Sequence, residues 1–139
     1  MKLLDTNIIL YAAGRPHRYK EPCAQLLRKV VIGELDCSVS VELLQEILYV
    51  YTSRGERTRG FQAFDELLQI FPAPFAIARE DMTLAREILE RYPTLSPRDA
   101  IHAAVTITQG LEGIVTTDIA FASVKELTVF DPIILVSQS

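Results

Sequence analysis

Four carboxylates stand out for their positions. Asp5 follows the short apolar run Leu3-Leu4, and Asp118 follows Ile114-Val115-Thr116-Thr117. Asp99 lies in the first turn of a helix opened by Ser96-Pro97, and Glu46 rides just off the edge of a helix's apolar face. Separately each has an ordinary explanation: Asp5 and Asp118 as caps, Asp99 as the partner of a capping serine, Glu46 as a rim residue. Gathered in one cleft they repel and take up protons, at about 1.4 kcal/mol per pKa unit, unless a cation compensates them. Oxygen donors without a Cys or His pattern beside them suit Mg²⁺ or Mn²⁺ rather than zinc. Such an ion orients a water, lowers its pKa and neutralises charge growing on a phosphodiester, so hydrolysis needs no protein nucleophile. Asn7, Thr116 and Thr117 are then expected to hold carboxylates or water in place.

The elements that must position these groups are legible in the spacing. Leu3 and Leu4 end a buried strand, and Ile8, Ile9, Leu10, Ala12 and Ala13 continue as a helix, so Asp5 sits where strand hands over to helix. In open sheets built from such units, ligands collect at the carboxyl ends of the strands. A helix is expected from about Pro22 to Ile32, stopped by Gly33, and a short strand through Cys37 and Val39. It runs into a helix from Val41 to Ser53, capped by Ser38 or Ser40, on whose apolar arc Glu46 is marginal. Glu42, in the first turn, is explained as a favourable N-terminal charge.

Phe61 to Phe71 reads as a helix stopped by Pro72 and Pro74, Phe75-Ala76-Ile77 as a third strand, and Asp81 to Tyr92 as a helix. Ser96-Pro97 with Asp99 opens the next helix, where His102, among Ala100, Ile101, Ala103, Ala104 and Val105, reads as a structural histidine. Ile114-Val115-Thr116 is a further strand. Leu127 to Phe130 is the last, and Ile133 to Val136, beyond Asp131-Pro132, is expected to be an extended tail. This order predicts a three-layer α/β/α sandwich with a mainly parallel sheet of about five strands, as one domain over residues 1–139.

Composition narrows the class. An apolar fraction of 49% with 23% charged residues is ordinary for a soluble globular chain. No apolar run approaches a membrane span and no cleavable leader opens the chain, so a cytoplasmic protein is expected. Cys23 and Cys37 form no CxxC and are expected to be buried apolar residues. With 14 Lys and Arg against 18 Asp and Glu, the net charge of −4 offers nucleic acid no global attraction. Any phosphate contacts must be local, from Arg15, His17, Arg18 and Lys20 in one polar loop, Arg54, Arg57 and Arg59 in a second, and Arg98 beside Asp99.

LLDTNIIL, the Glu of LLQEILYV, SPRDAIHAA and VTTD, in this order, resemble the motifs of PIN-domain ribonucleases, VapC-type toxins of type II toxin-antitoxin systems above all. The resemblance spans nearly the whole chain. It implies Asp5, Glu46, Asp99 and Asp118 as a catalytic Mg²⁺ or Mn²⁺ site, endoribonuclease activity on RNA, a homodimer, and a cognate antitoxin that inserts a peptide near the site. Many relatives carry a further acid in the last motif, as TxDxDF; Ala120 takes that place here, leaving one fewer carboxylate for a second ion. Two other classes are open. A phosphatase on a similar sheet needs an Asp-x-Asp opening, where this chain has Asn7. A noncatalytic PIN-like module would bind metal or RNA without turnover.

Overall fold

Among the described residues each strand is only two or three residues long and gives way within a few residues to a helix or a 3-10 turn. The computed structural model describes residues 1–138; Ser139, the last residue of the expected domain, lies outside the described residues. In order, the elements are β1 (Lys2–Leu4), α1 (Thr6–Ala13), α2 (Lys20–Val31), β2 (Cys37–Ser38), α3 (Val41–Ser53), α4 (Arg57–Ile70), α5 (Arg79–Arg91), α6 (Pro97–Thr108), β3 (Ile114–Val115), a 3-10 turn (Ile119–Ser123), β4 (Val129–Phe130) and α7 (Pro132–Ser137).

The sheet runs β2-β1-β3-β4 and every pairing is parallel, Leu3 lying opposite Ser38 on one side and Ile114 on the other. Winding proceeds outward from β1 to β2 and later resumes on the opposite side with β3. The crevice outside the ends of β1 and β3 is therefore a switch point, where α/β sheets bind their ligands. Alternate side chains serve opposite layers. Val115 and Leu4 join a core filled by α1, α2, α3, α4 and α7, while Ile114 joins one with α5, α6, Phe121 and Val124. This is the expected three-layer α/β architecture. Cys23 and Cys37 are unpaired and buried in it.

Three local expectations are corrected. The sheet has four strands, not about five, because Phe75-Ala76-Ile77 makes only an isolated parallel bridge from Phe75 to Ser40. Pro72 and Pro74 on its upstream side lack the N–H that would extend the ladder. Residues 133–136 are helical rather than extended: Asp131 caps them, its Oδ1 accepting from the Ile133 and Ile134 amides at 2.8 and 3.4 Å, and Pro132 occupies the first turn. Helices α2, α4 and α5 also begin upstream of the expected positions. In α5, buried Asp81 is inside the first turn, accepting from the Ala78 amide at 2.7 Å and from the Thr108 hydroxyl, which ties α5 to the end of α6.

Ser96 does for α6 what its sequence signature implies: its Oγ accepts from the Asp99 amide at 3.2 Å, with Pro97 in the first turn. Because the same contact sets where Asp99 emerges, Ser96→Ala is expected to cost about 1 kcal/mol, and Ser96→Gly only a few tenths. Denaturant titration of both variants checks this; no loss in the alanine variant would show that the hydroxyl does not stabilise the start of α6.

Candidate metal and nuclease site

At the switch point the backbone itself delivers the first acid. The Asp5 amide donates to the Val115 carbonyl at 3.0 Å, completing the β1–β3 ladder, and its side chain then turns to cap α1, Oδ1 accepting from the Thr6 amide at 2.7 Å. Capping does not exhaust the carboxylate. The Thr116 hydroxyl donates to Asp5 Oδ2 at 2.7 Å and also accepts from the Asp118 amide at 3.0 Å and from Asn7 Nδ2 at 3.3 Å. One hydroxyl thus links the ends of β1 and β3. Asn7 Oδ1, by contrast, is buried without a hydrogen-bond partner.

The second acid is approached from the other side. Glu46, on α3, places Oε1 2.8 Å from His102 Nε2, and its Oε2 lies 3.9 Å from an Arg98 guanidinium nitrogen. His102 Nε2 also stands 3.3 Å from Thr6 Oγ1 and 3.7 Å from Asp5 Oδ1, while its Nδ1 has no partner. The imidazole is fully buried, so α6 carries it into the gap between β1 and α3. Asp99 is half-buried at the start of α6, and Asp118 is half-buried with its Oδ1 accepting from the Ala120 amide at 2.9 Å.

The electrostatics show which acids feel one another. Burial is the main cause pushing the Asp5 carboxyl up from 3.8 to about 6; His102 and the Thr116 bond hold it down, and the charges of Asp99 and Glu46 add to the rise. Asp99 is likewise raised, first by burial, with Ser96 opposing and Asp118 contributing. Burial raises Glu42 too, with Glu46 next in effect. For His102, burial works against the proton, but the Glu46 bond and the charges of Asp5, Glu46 and Glu42 more than offset it, leaving its pKa raised. Asp5 thus feels the charges of Asp99 and Glu46, and Asp99 feels that of Asp118. Among the described residues no three acidic, imidazole or thiol groups close round a single point, since Glu46 is turned toward His102 and Arg98.

As chemistry, the donor set fits a hard divalent cation: carboxylate oxygens only, with Asp5 and Asp99 raised in proton affinity by burial and by neighbouring acids, beside an orphaned amide oxygen suited to a bound water. Of the three supporting residues expected from the sequence, Thr116 and Asn7 reach Asp5 directly or through one bond. Thr117 makes no such bond among the described residues; it lines a groove that it shares with Thr116, Asp118, Ile119 and Ile134.

The basic side chains divide. Arg15, Arg54 and Arg59 line a cleft that Asn7 also borders. Arg98 lies over the Tyr49 ring at 4.6 Å, next to Glu46. Arg18 covers Tyr19 at 4.7 Å, Lys20 donates to the Gly14 carbonyl and Arg57 lies 5.8 Å from Phe61, all outside the lining of that cleft. Sequence reading missed His102 and Thr6 as members of the site. Both were within reach of it: His102 is three residues after Asp99 on one helix face, and Thr6 adjoins Asp5.

Comparison with known proteins bears on the fold and the family. A family profile described as PIN domain matches residues 2–127. Ribonuclease VapC13 of Mycobacterium tuberculosis is 34% identical over 123 residues, covering 88% of this chain and 94% of the relative. Two crystal structures share the fold. FitAcB from Neisseria gonorrhoeae superposes with a TM-score of 0.73 at 18% identity, over 95% of this chain and 98% of the other. VapBC2 from Rickettsia felis, bound to a promoter DNA fragment, gives 0.69 at 19% identity, over 93% and 96%. Among the described residues no helix is long and apolar enough to cross a membrane. With this match over most of its length, the chain belongs to the PIN domain family.

Proposed function

We propose that this protein is a Mg²⁺- or Mn²⁺-dependent endoribonuclease, the toxin of a toxin-antitoxin pair, in which Asp5, Glu46, Asp99 and Asp118 hold the ion. The observation that carries the reading is Asp5, a carboxylate 5% exposed yet facing two further acids, an arrangement that costs stability and that a cation would relieve. The relatives' name, VapC ribonuclease, supports RNA as substrate. The similar folds found in toxin-antitoxin complexes support a cognate antitoxin as partner, and a homodimer belongs to the same reading.

When bound, the ion supplies a water of lowered pKa and positive charge beside the phosphodiester. Around it the chain's own groups have distinct tasks. Thr116, with the Thr6 amide, fixes the Asp5 rotamer, and His102 holds Glu46 in place. Asn7 Oδ1, with no other donor to satisfy it, accepts from a water placed beside Asp5 and so orients it. Arg98 lies at the edge, offering a guanidinium to the phosphate.

Cleavage of total cellular RNA by purified, antitoxin-free protein, with and without Mg²⁺ or Mn²⁺, tests the reading. Ion-dependent internal cuts are expected, and none in chelator. The same ions should raise the melting temperature, by the equivalent of about 2.7 kcal/mol at a hundredfold excess over Kd, and should raise that of Asp5→Asn far less. Ion binding without any cut would make the protein a noncatalytic module instead.

A further inference from the structure

The side chain that joins two of the acids is not itself an acid. His102 is completely buried, one turn beyond Asp99 on α6, and its Nε2 meets oxygens from two other parts of the chain. Glu46 Oε1, from α3, is 2.8 Å away; Thr6 Oγ1 and Asp5 Oδ1, at the junction of β1 and α1, are at 3.3 and 3.7 Å. The other ring nitrogen, Nδ1, is buried with no partner. That asymmetry decides where the hydrogen sits. A hydrogen on Nδ1 alone would leave a buried donor unsatisfied, whereas the Glu46 carboxylate, facing Nε2, can only accept. Nε2 therefore carries a hydrogen whether the ring holds one proton or two, and the bond to Glu46 does not depend on which.

Glu46 is the acid that most needs such a hold. Glutamate is among the side chains with the most rotamer freedom to lose, and this one reaches the crevice from a helix. Asp5, by contrast, is fixed by short bonds from the Thr6 amide and the Thr116 hydroxyl. With Oε1 anchored on the ring, Glu46 Oε2 has among the described residues only the distant approach of Arg98 at 3.9 Å.

We infer that His102 is a positioning residue that sets the affinity of the site for its divalent ion: it holds Glu46 Oε1 on the nitrogen that also lies beside Asp5, and so leaves Oε2 ordered for the ion. The inference rests on the ion reading of the site and names the group that tunes it. A bond that orders a ligand before the ion arrives removes part of the entropy the ion must otherwise overcome, so its loss appears in ion binding. A histidine that merely fills space acts differently. An apolar side chain of similar size would then serve the site as well.

The test is Mn²⁺ binding with no RNA present, followed by the electron paramagnetic resonance of the free ion. His102→Leu, which fills the space but donates nothing, is expected to weaken binding about tenfold or more, and His102→Gln, whose amide N–H can stand where Nε2 does, to stay within about threefold of the parent. In a Glu46→Ala background His102→Leu should add no further loss, because the ring acts through that carboxylate. In cleavage, the Mn²⁺ requirement of the leucine variant should rise by the same factor with KM for RNA unchanged. A second measurement needs no ion and keeps the inference falsifiable if the leucine variant fails to fold. The chain has two histidines, so magnetic resonance of isotope-labelled histidine in chelator should show one slowly exchanging ring N–H, on Nε2, absent from His102→Gln and exchanging faster in Glu46→Ala. A hydrogen on Nδ1 with Nε2 bare overturns the inference. Leucine and parent proteins that bind Mn²⁺ alike, while the wild-type chain cuts RNA, also overturn it and leave the nuclease reading standing. Tighter binding by the leucine variant overturns it by showing that the ring withdraws Glu46 from the ion, and an equal loss in the Glu46→Ala background overturns it in favour of packing. A wild-type chain that binds no Mn²⁺ fails the ion reading itself, and this inference with it.

Discussion

Asp5→Asn is expected to lower RNA cleavage by about a thousandfold or more, a rise of about 4 kcal/mol in the barrier, while making the protein harder to unfold above pH 6. The two effects share one cause. The folded chain holds Asp5 with its carboxyl raised from 3.8 to about 6, so between those values the native state binds more protons than the unfolded state. Stability is then highest below about pH 4 for this group and falls as pH rises through 6, by about 3 kcal/mol in all. His102, also raised, acts in the same direction, its contribution present at low pH and lost as its proton leaves. Asparagine cannot ionise, so the variant escapes the Asp5 part of that loss.

The gain is smaller than the full amount. An asparagine oxygen keeps the Thr6 amide bond, but its NH₂ group meets a Thr116 hydroxyl that already accepts from Asn7 and the Asp118 amide. About 1–2 kcal/mol at pH 8, or roughly 3–8 °C, is the expected net shift. Thermal melts of both proteins in chelator from pH 4 to 8 check it. Parallel curves across that range would show that Asp5 ionises as readily in the native chain as in the unfolded one.

Gly113→Ala is expected to be the most damaging single methyl group that can be added near the site. A Cβ there would stand 2.2 Å from the Thr128 carbonyl oxygen, 2.9 Å from its carbon and 2.8 Å from the Phe130 ring. Two of these three atoms are backbone and cannot rotate aside. The same carbonyl accepts from the Ile114 amide at 2.9 Å, and Gly113's own carbonyl accepts from Leu3 at 2.9 Å, so any retreat loosens β3 from β4 or from β1. A loss of about 3 kcal/mol or more follows, at the severe end for overpacking. Because β3 leads directly to Thr116 and Asp118, cleavage by the surviving folded fraction should fall as well. Denaturant unfolding and specific activity per folded molecule measure the two separately. A variant as stable as the parent would mean the β3–β4 spacing is far more yielding than its contacts imply.

What could be read from the sequence was what short-range rules govern. Leu3-Leu4 followed by Asp5 marked the strand end, and Ser96-Pro97 marked the start of α6, because caps and first-turn prolines act through neighbouring atoms. The same signature at Asp131-Pro132 went unrecognised, and the β-branched run Ile133-Ile134 suggested an extended tail; the cap and the docking of Leu135 and Val136 into the core won over propensity. Phe75-Ala76-Ile77 has strand composition, but whether it pairs depends on a partner that local pattern does not reveal. His102 is buried as a structural histidine is expected to be, but its place in the site is not legible locally: only the approach of α3 to β1 makes it the link between Glu46 and Asp5. The cleft beyond Asn7 was legible as two basic loops, but not that Arg15, Arg54 and Arg59 would share one space while Arg18, Lys20 and Arg57 stayed outside its lining.

The central place of β1 in the sheet ties the crevice to long-range pairing. Leu3 and its neighbour Ile114 are 111 residues apart along the chain, yet they lie side by side. A chain in which β3 has not docked leaves β1 with β2 alone, and leaves Asp5 without the Val115 carbonyl and the Thr116 hydroxyl that settle it. Contacts between distant segments, rather than local helix formation, therefore set when the acids come together.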